Sequence, residues 1–217
     1  MALRGFFPSI FMVGLSGCGR LDLIDYRPKI TPEEFLGSLP HWHVKFAGLD
    51  FILIQPSSTV IVYLVAVLTM GAGMHFLWLC RSQRTRLWWG IGLVLSGFGA
   101  LLAGTSYQAF GYEIKCAGRQ VCTWTSWWEV AYLLFSAAGM SAMLVAVAYS
   151  CTTGIFRKTV SVFAVVSTAV YAVLLLIGAF VPVRFLVSFE CLCWQQYLPS
   201  SWRLSLQSGL FVNAAMQ

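Results

Sequence analysis

Long apolar runs alternate with short polar breaks along most of this chain, and that alternation carries the first prediction. Four runs, 57–80, 87–110, 127–150 and 159–181, are longer than a soluble core helix needs. A hydrocarbon layer of roughly 30 Å asks for about 20 apolar residues at helical rise. The chain is therefore expected to be all-α, a polytopic helical membrane protein with about four transmembrane helices. Residues 18–56 differ in character, mixing polar and apolar positions and holding Asp22, Asp25, Glu33, Glu34 and Asp50. They read as an extramembrane segment. Within it Thr31-Pro32-Glu33-Glu34 has the form of a helix start, with threonine as N-cap, proline at the first helical position and Glu34 completing a capping box. A short helix to about Leu39 follows. Phe51 to Ile54 is apolar but is cut off from the first span by Gln55 and Pro56.

Small residues add a packing expectation. Gly92, Ser96, Ala100 and Gly104 recur every four positions along the second span, and Ala138, Ala142 and Ala146 do so along the third. Ridges of this kind let helix backbones approach closely in lipid, where apolar burial does not distinguish a helix from an acyl chain. The two ridges are expected to face each other. Beyond Glu190 the pattern decays: Phe185 to Trp194 is too short to span, and Leu204 to Met216 forms only a weak stripe. Residues 185–217 are either an interfacial tail, with Cys191 and Cys193 near the surface, or the remnant of a chain that continued into further spans.

Composition supports the membrane reading, since 59% of residues are hydrophobic and 10% charged, against about 25% charged in soluble domains. The net charge of +6 does not point to nucleic acid, because the basic residues are scattered at segment ends. The expected partner is the lipid bilayer. Arg81, Arg84 and Arg86 follow the first span, and Arg157 and Lys158 follow the third. By the positive-inside rule both short loops are cytoplasmic, which puts both chain ends and the loop from Thr105 to Glu129 outside.

The first seventeen residues have the layout of a secretory signal, with Arg4 before an apolar run and small residues before a cysteine. Their end, Leu15-Ser16-Gly17-Cys18, resembles the lipobox of bacterial lipoproteins. That resemblance implies cleavage before Cys18, lipid on its sulfur and a bacterial envelope protein of the cytoplasmic membrane. An uncleaved leader, or a start codon placed too early, is the alternative, and Pro8 within the apolar run favours it slightly.

Candidate chemistry concentrates in the loop between the second and third spans. Cys116 and Cys122 are separated by AGRQV, with Gly118 free to turn the chain, and a disulfide is expected on an oxidising face. Tyr107, Gln108, Tyr112 and Glu113 cluster at the outer end of the second span and, with Glu129, are expected to line a small polar ligand pocket. Glu129 has a second reading: Ser126-Trp127-Trp128-Glu129 forms a capping box at the start of the third span. Trp124, Trp127 and Trp128 read as an interfacial aromatic belt. His41 and His43 share one side of an extended stretch, which suits an interfacial anchor better than a metal site without a third ligand. His75, alone in its span, reads as a helix–helix hydrogen-bonding residue rather than a proton relay.

No catalytic constellation, metal site or cofactor motif emerges. A ceramidase-type zinc site needs several histidines and an aspartate in the spans, where only His75 is found; no phosphate loop, haem or flavin motif is present. The sequence thus points to a structural or interaction subunit presenting a disulfide-clipped outer loop. A carrier or sensor of a small or lipid-like molecule is the second reading, and a membrane enzyme the third.

Overall fold

The computed structural model describes residues 20–46 and 49–188. The leader, Cys18 and the chain from Phe189 onward, with Cys191 and Cys193, lie outside the described residues. Among the described residues six α-helices and one hairpin are formed: α1 Pro32–Gly37, β1 His41–Phe46, β2 Leu49–Ile54, α2 Pro56–Trp78, α3 Arg84–Ala103, α4 Gly111–Lys115, α5 Trp127–Cys151 and α6 Gly154–Phe180. Of these α2, α5, α6 and α3 with its extension to Ala109 are long and apolar enough to cross a membrane. The protein is a helical, multi-span membrane protein.

Two boundaries differ most from the sequence pattern, each for a local reason. The second span leaves α-helical geometry at Ala103 and continues to Ala109 as a π turn, closed by a bond from Phe110 N to Thr105 O of 2.9 Å. The fourth begins at Gly154, so Arg157 and Lys158 lie inside its first turns. Arg157 is accommodated there because its guanidinium reaches back to Thr152 O at 2.9 and 2.7 Å. The α1 capping box forms as expected, with Glu34 N donating to Thr31 Oγ1 at 3.3 Å and Thr31 N to Glu34 Oε2 at 3.0 Å.

The hairpin was not expected in a chain read as all-α. The strands β1 and β2 pair antiparallel, with His41 opposite Ile54 and Lys45 opposite Asp50. The Phe51–Ile54 run, apolar but too short for a span, is satisfied by that partner strand. Its last residue, Ile54, is fully buried, and Phe51 meets Phe110 with ring centroids 5.3 Å apart.

The long helices pack in chain order as a row, α2 on α3, α3 on α5 and α5 on α6. Glycines set how closely α3 sits against its two neighbours. A Cβ on Gly90 would meet Leu77 of α2 at 2.7 Å, and one on Gly104 would meet Val62 at 2.9 Å. On the other face, a Cβ on Gly92 would meet Met143 of α5 at 2.8 Å, and one on Gly139 would meet Ser96 Oγ at 2.7 Å. The predicted four-residue ridge is therefore shared between two neighbours. Each four-residue step turns about 40° around a helix, so a ridge that begins at Gly92 facing α5 ends at Gly104 facing α2. On α5, Ala142 and Ala146 are buried and Ala138 is partly so, and Gly139 and Met143 lie directly against Ser96 and Gly92 of α3.

Candidate functional site

The strongest polar feature lies where α3, its π turn and α5 meet the connecting loop. Glu129, in the first turn of α5, is 3% exposed, and Lys115, the last residue of α4, is also 3% exposed. Their side chains form an ion pair with Nζ 2.5 Å from Oε1. Ser106 Oγ donates to the same carboxylate oxygen at 2.9 Å and lies 3.2 Å from Ser126 Oγ. The π turn bears directly on this geometry, because Ser106 and Tyr107 belong to it. Lys115 also donates to Trp124 O at 3.4 Å and sits over the Tyr107 ring, 4.7 Å from its centroid.

This arrangement replaces the expected cap at the start of α5. Ser126 occupies the N-cap position but makes no side-chain capping bond; its hydroxyl turns to Ser106 instead. Glu129 turns away from the N-cap because a buried cation offers more than a backbone N–H. Charge-assisted bonds are roughly twice as strong as neutral ones, and low polarity amplifies the difference.

The loop holding Lys115 is fixed from both sides. Cys116 and Cys122 form the expected disulfide and are both buried, and Gly118 between them adopts φ +72°. Residues 24–30 then lie across the loop as an irregular lid, bent at Arg27 and Pro28. Trp124 N donates to Ile24 O at 2.8 Å, Cys122 N donates to Ile30 O at 3.0 Å, and Asp25 bridges Thr123. Arg119 joins Asp22 at 2.8 Å, and Arg20 Nη1 donates to Phe180 O at 3.1 Å. The N-terminal segment and the ends of α3, α5 and α6 thus form one polar cap. Compared with known proteins, the chain matches no family model, and no curated protein or solved structure is similar to it.

Of the five residues assigned to a polar pocket, the structure brings together Tyr107 and Glu129 and gives the other three different surroundings. Tyr107 and Glu129 share Lys115, and Tyr107 meets Tyr132 edge-on at 6.2 Å. Glu113 accepts a bond from Ile52 N of the hairpin at 3.3 Å. Tyr112 is half-buried, and its carbonyl accepts from Cys116 N and Ala117 N. Gln108 lines a different space, a cleft of about 450 Å³ between α2, α3 and α5, with Ser96, Ala100, Tyr132 and Ser136 among its other walls. The Gln108 Oε1 atom is buried there without a hydrogen-bond partner.

Lys115 was missed in the sequence. A buried carboxylate requires a cation, and the Cys116–Cys122 region offers Lys115 and Arg119 as candidates. Sequence alone does not choose between them, since the choice depends on Asp22 arriving from a segment far away in the chain. Trp124 and Trp127 are committed to the cap rather than to a simple belt: the Arg184 guanidinium lies over the Trp124 ring at 4.8 Å, and Trp127 meets Phe180 at 6.2 Å. His41 and His43 lie edge to face at 5.7 Å, and His41 Nδ1 is 3.1 Å from Leu39 O. His75 is exposed on α2 and tilts against Trp78 at 6.3 Å.

Chemically, the cap is a structural lock. Ser106 beside a carboxylate has the makings of an activated hydroxyl, yet it is fully buried and no substrate reaches it unless the loop lifts.

Proposed function

We propose that this chain is an interaction subunit of a bacterial cytoplasmic membrane, facing outward with its disulfide-clipped cap and tethered at Cys18 by lipid. The observation that carries the reading is the openness of the helix row. Val60, Leu64, Val67 and Leu68 of α2, and Val162, Val166, Val170 and Val173 of α6, are exposed along helices that, among the described residues, lack a neighbouring helix on one side. The small-residue ridges are already used within the chain, so partners dock on these outer faces and on the cap. The orientation follows the charges: Arg81, Arg84, Arg86, Arg157 and Lys158 surround the end opposite the cap with no acidic residue among them, the cytoplasmic signature.

Native mass spectrometry of the protein extracted in mild detergent from its own membrane tests this directly. A complex of fixed stoichiometry, with this chain beginning at lipid-bearing Cys18, is the expected result. A second reading, a carrier of a small or lipid-like molecule, is favoured by the Gln108 cleft. A lone chain with a reproducible small adduct, lost on Gln108→Leu, would replace the subunit reading with it.

A further inference from the structure

The cap carries a second cleft that the ion-pair lock does not use. Residues 23–29 pass the end of α6 and leave about 650 Å³ between themselves and Pro182 and Arg184. Arg27, Lys29 and Arg184 line it, with Asp25 as the acidic residue of the wall. Asp25 is engaged by Lys29 at 3.7 Å, and the nearby Asp22 by Arg119 at 2.8 Å. Among the described residues, Arg27 and Arg184 therefore have no acidic partner. Arg184 is also held in place: its guanidinium lies over the Trp124 ring, 4.8 Å from the centroid, and a guanidinium with no carboxylate partner can offer two N–H donors to two oxygens of one phosphate.

Position narrows the ligand further. Phe180 ends a span, and Pro182 and Arg184 follow at once, so the cleft lies at headgroup depth. Leu23, on the same wall, is exposed, as suits an amphiphile whose apolar part continues into the bilayer. We propose that this cleft binds a phosphate group, carried in the membrane by the headgroup of an anionic phospholipid. Arg184 and Arg27 grip the phosphate oxygens, Lys29 adds positive potential while holding Asp25 aside, and Leu23 and Pro182 border the glycerol and upper chain.

The test uses the full-length protein in mild detergent with phosphatidylglycerol or phosphatidylcholine added, with retained lipid read by native mass spectrometry. The wild type is expected to retain phosphatidylglycerol preferentially. The Arg27→Ala/Arg184→Ala double variant should bind it about thirtyfold more weakly, each basic side chain contributing about fivefold beside an anionic headgroup. Arg184→Lys, which keeps the charge but not the planar fork, should lose part of the affinity. Both arginines are exposed, and an unchanged melting curve verifies that the double variant is folded. Displacement of the lipid by equimolar inorganic phosphate would keep the phosphate site and assign its ligand to a free ion. Equal retention of the two lipids overturns the proposal. So does undiminished phosphatidylglycerol binding by the double variant, or an equal loss from Arg81→Ala/Arg84→Ala at the opposite end.

Discussion

Glu129 shows how one residue can satisfy a local rule on paper and obey a stronger one in the fold. An N-terminal capping interaction contributes about 1 kcal/mol, whereas leaving Lys115 buried without its carboxylate costs about 3–5 kcal/mol. The second figure decides where the side chain points. Either Glu129→Leu or Lys115→Met alone is accordingly expected to destabilise the protein by about 3–5 kcal/mol, and the double variant Lys115→Met/Glu129→Leu to recover most of it. Thermal unfolding in detergent, arranged as a double-mutant cycle, measures the coupling. Additive losses would mean that the two charges do not depend on each other.

Among elements, the connection of α3 to its neighbours and the clip on the loop before α5 are the parts most open to test. A side chain at Gly139 has nowhere to go, since even a Cβ meets Ser96 N at 3.1 Å and Gly92 O at 3.3 Å. Gly139→Val should therefore lower the melting temperature in detergent. Gly71→Ala should be silent, because a Cβ on Gly71 meets nothing within 4 Å; similar losses from both variants would show that close approach is not what Gly139 provides. The Cys116–Cys122 clip acts on a different element. Opening so short a loop removes about 2 kcal/mol on the chain-entropy estimate. Because residues 24–30 are bonded to the loop, the loss should spread to them. Hydrogen exchange of the Cys116→Ser/Cys122→Ser variant is expected to rise in both 111–126 and 24–30 while α6 keeps its protection. A rise confined to the loop would show that the lid holds without the disulfide.

At the scale of the whole molecule, the ends of the row differ in chemistry. The cap gathers Asp22, Asp25, Glu33, Glu34, Asp50, Glu113 and Glu129 together with basic partners, while among the described residues the charged ones at the opposite end are all basic. Cys80 and Cys151, the free cysteines among the described residues, both lie at that opposite end and serve as reporters. With Cys18, Cys191 and Cys193 replaced by serine, a membrane-impermeant maleimide should leave both unlabelled in intact cells and modify Cys80 and the exposed Cys151 once the cytoplasmic face is opened. Labelling of intact cells would invert the orientation.

The sequence by itself determined the solvent, the number of long helices, the α1 capping box and the cysteine pairing, because each depends on residues close together in the chain. Run length fixes a span, a four-residue motif fixes a cap, and six positions of separation make Cys116 and Cys122 near neighbours. The hairpin was not legible, since a short apolar run such as Phe51–Ile54 becomes a strand only beside a partner, and no Asn-Gly turn announces one. The lock was half legible. Glu129 stood out as a carboxylate at a span edge, but its partner depended on Asp22 claiming Arg119 from across the cap, which left Lys115 for burial. The ridge on α3 could be read as small residues, yet whether it faced one helix or two was settled only by α2 and α5 packing on opposite sides of it. Tertiary structure decided these points because charge pairing and close approach join residues that the chain itself keeps far apart.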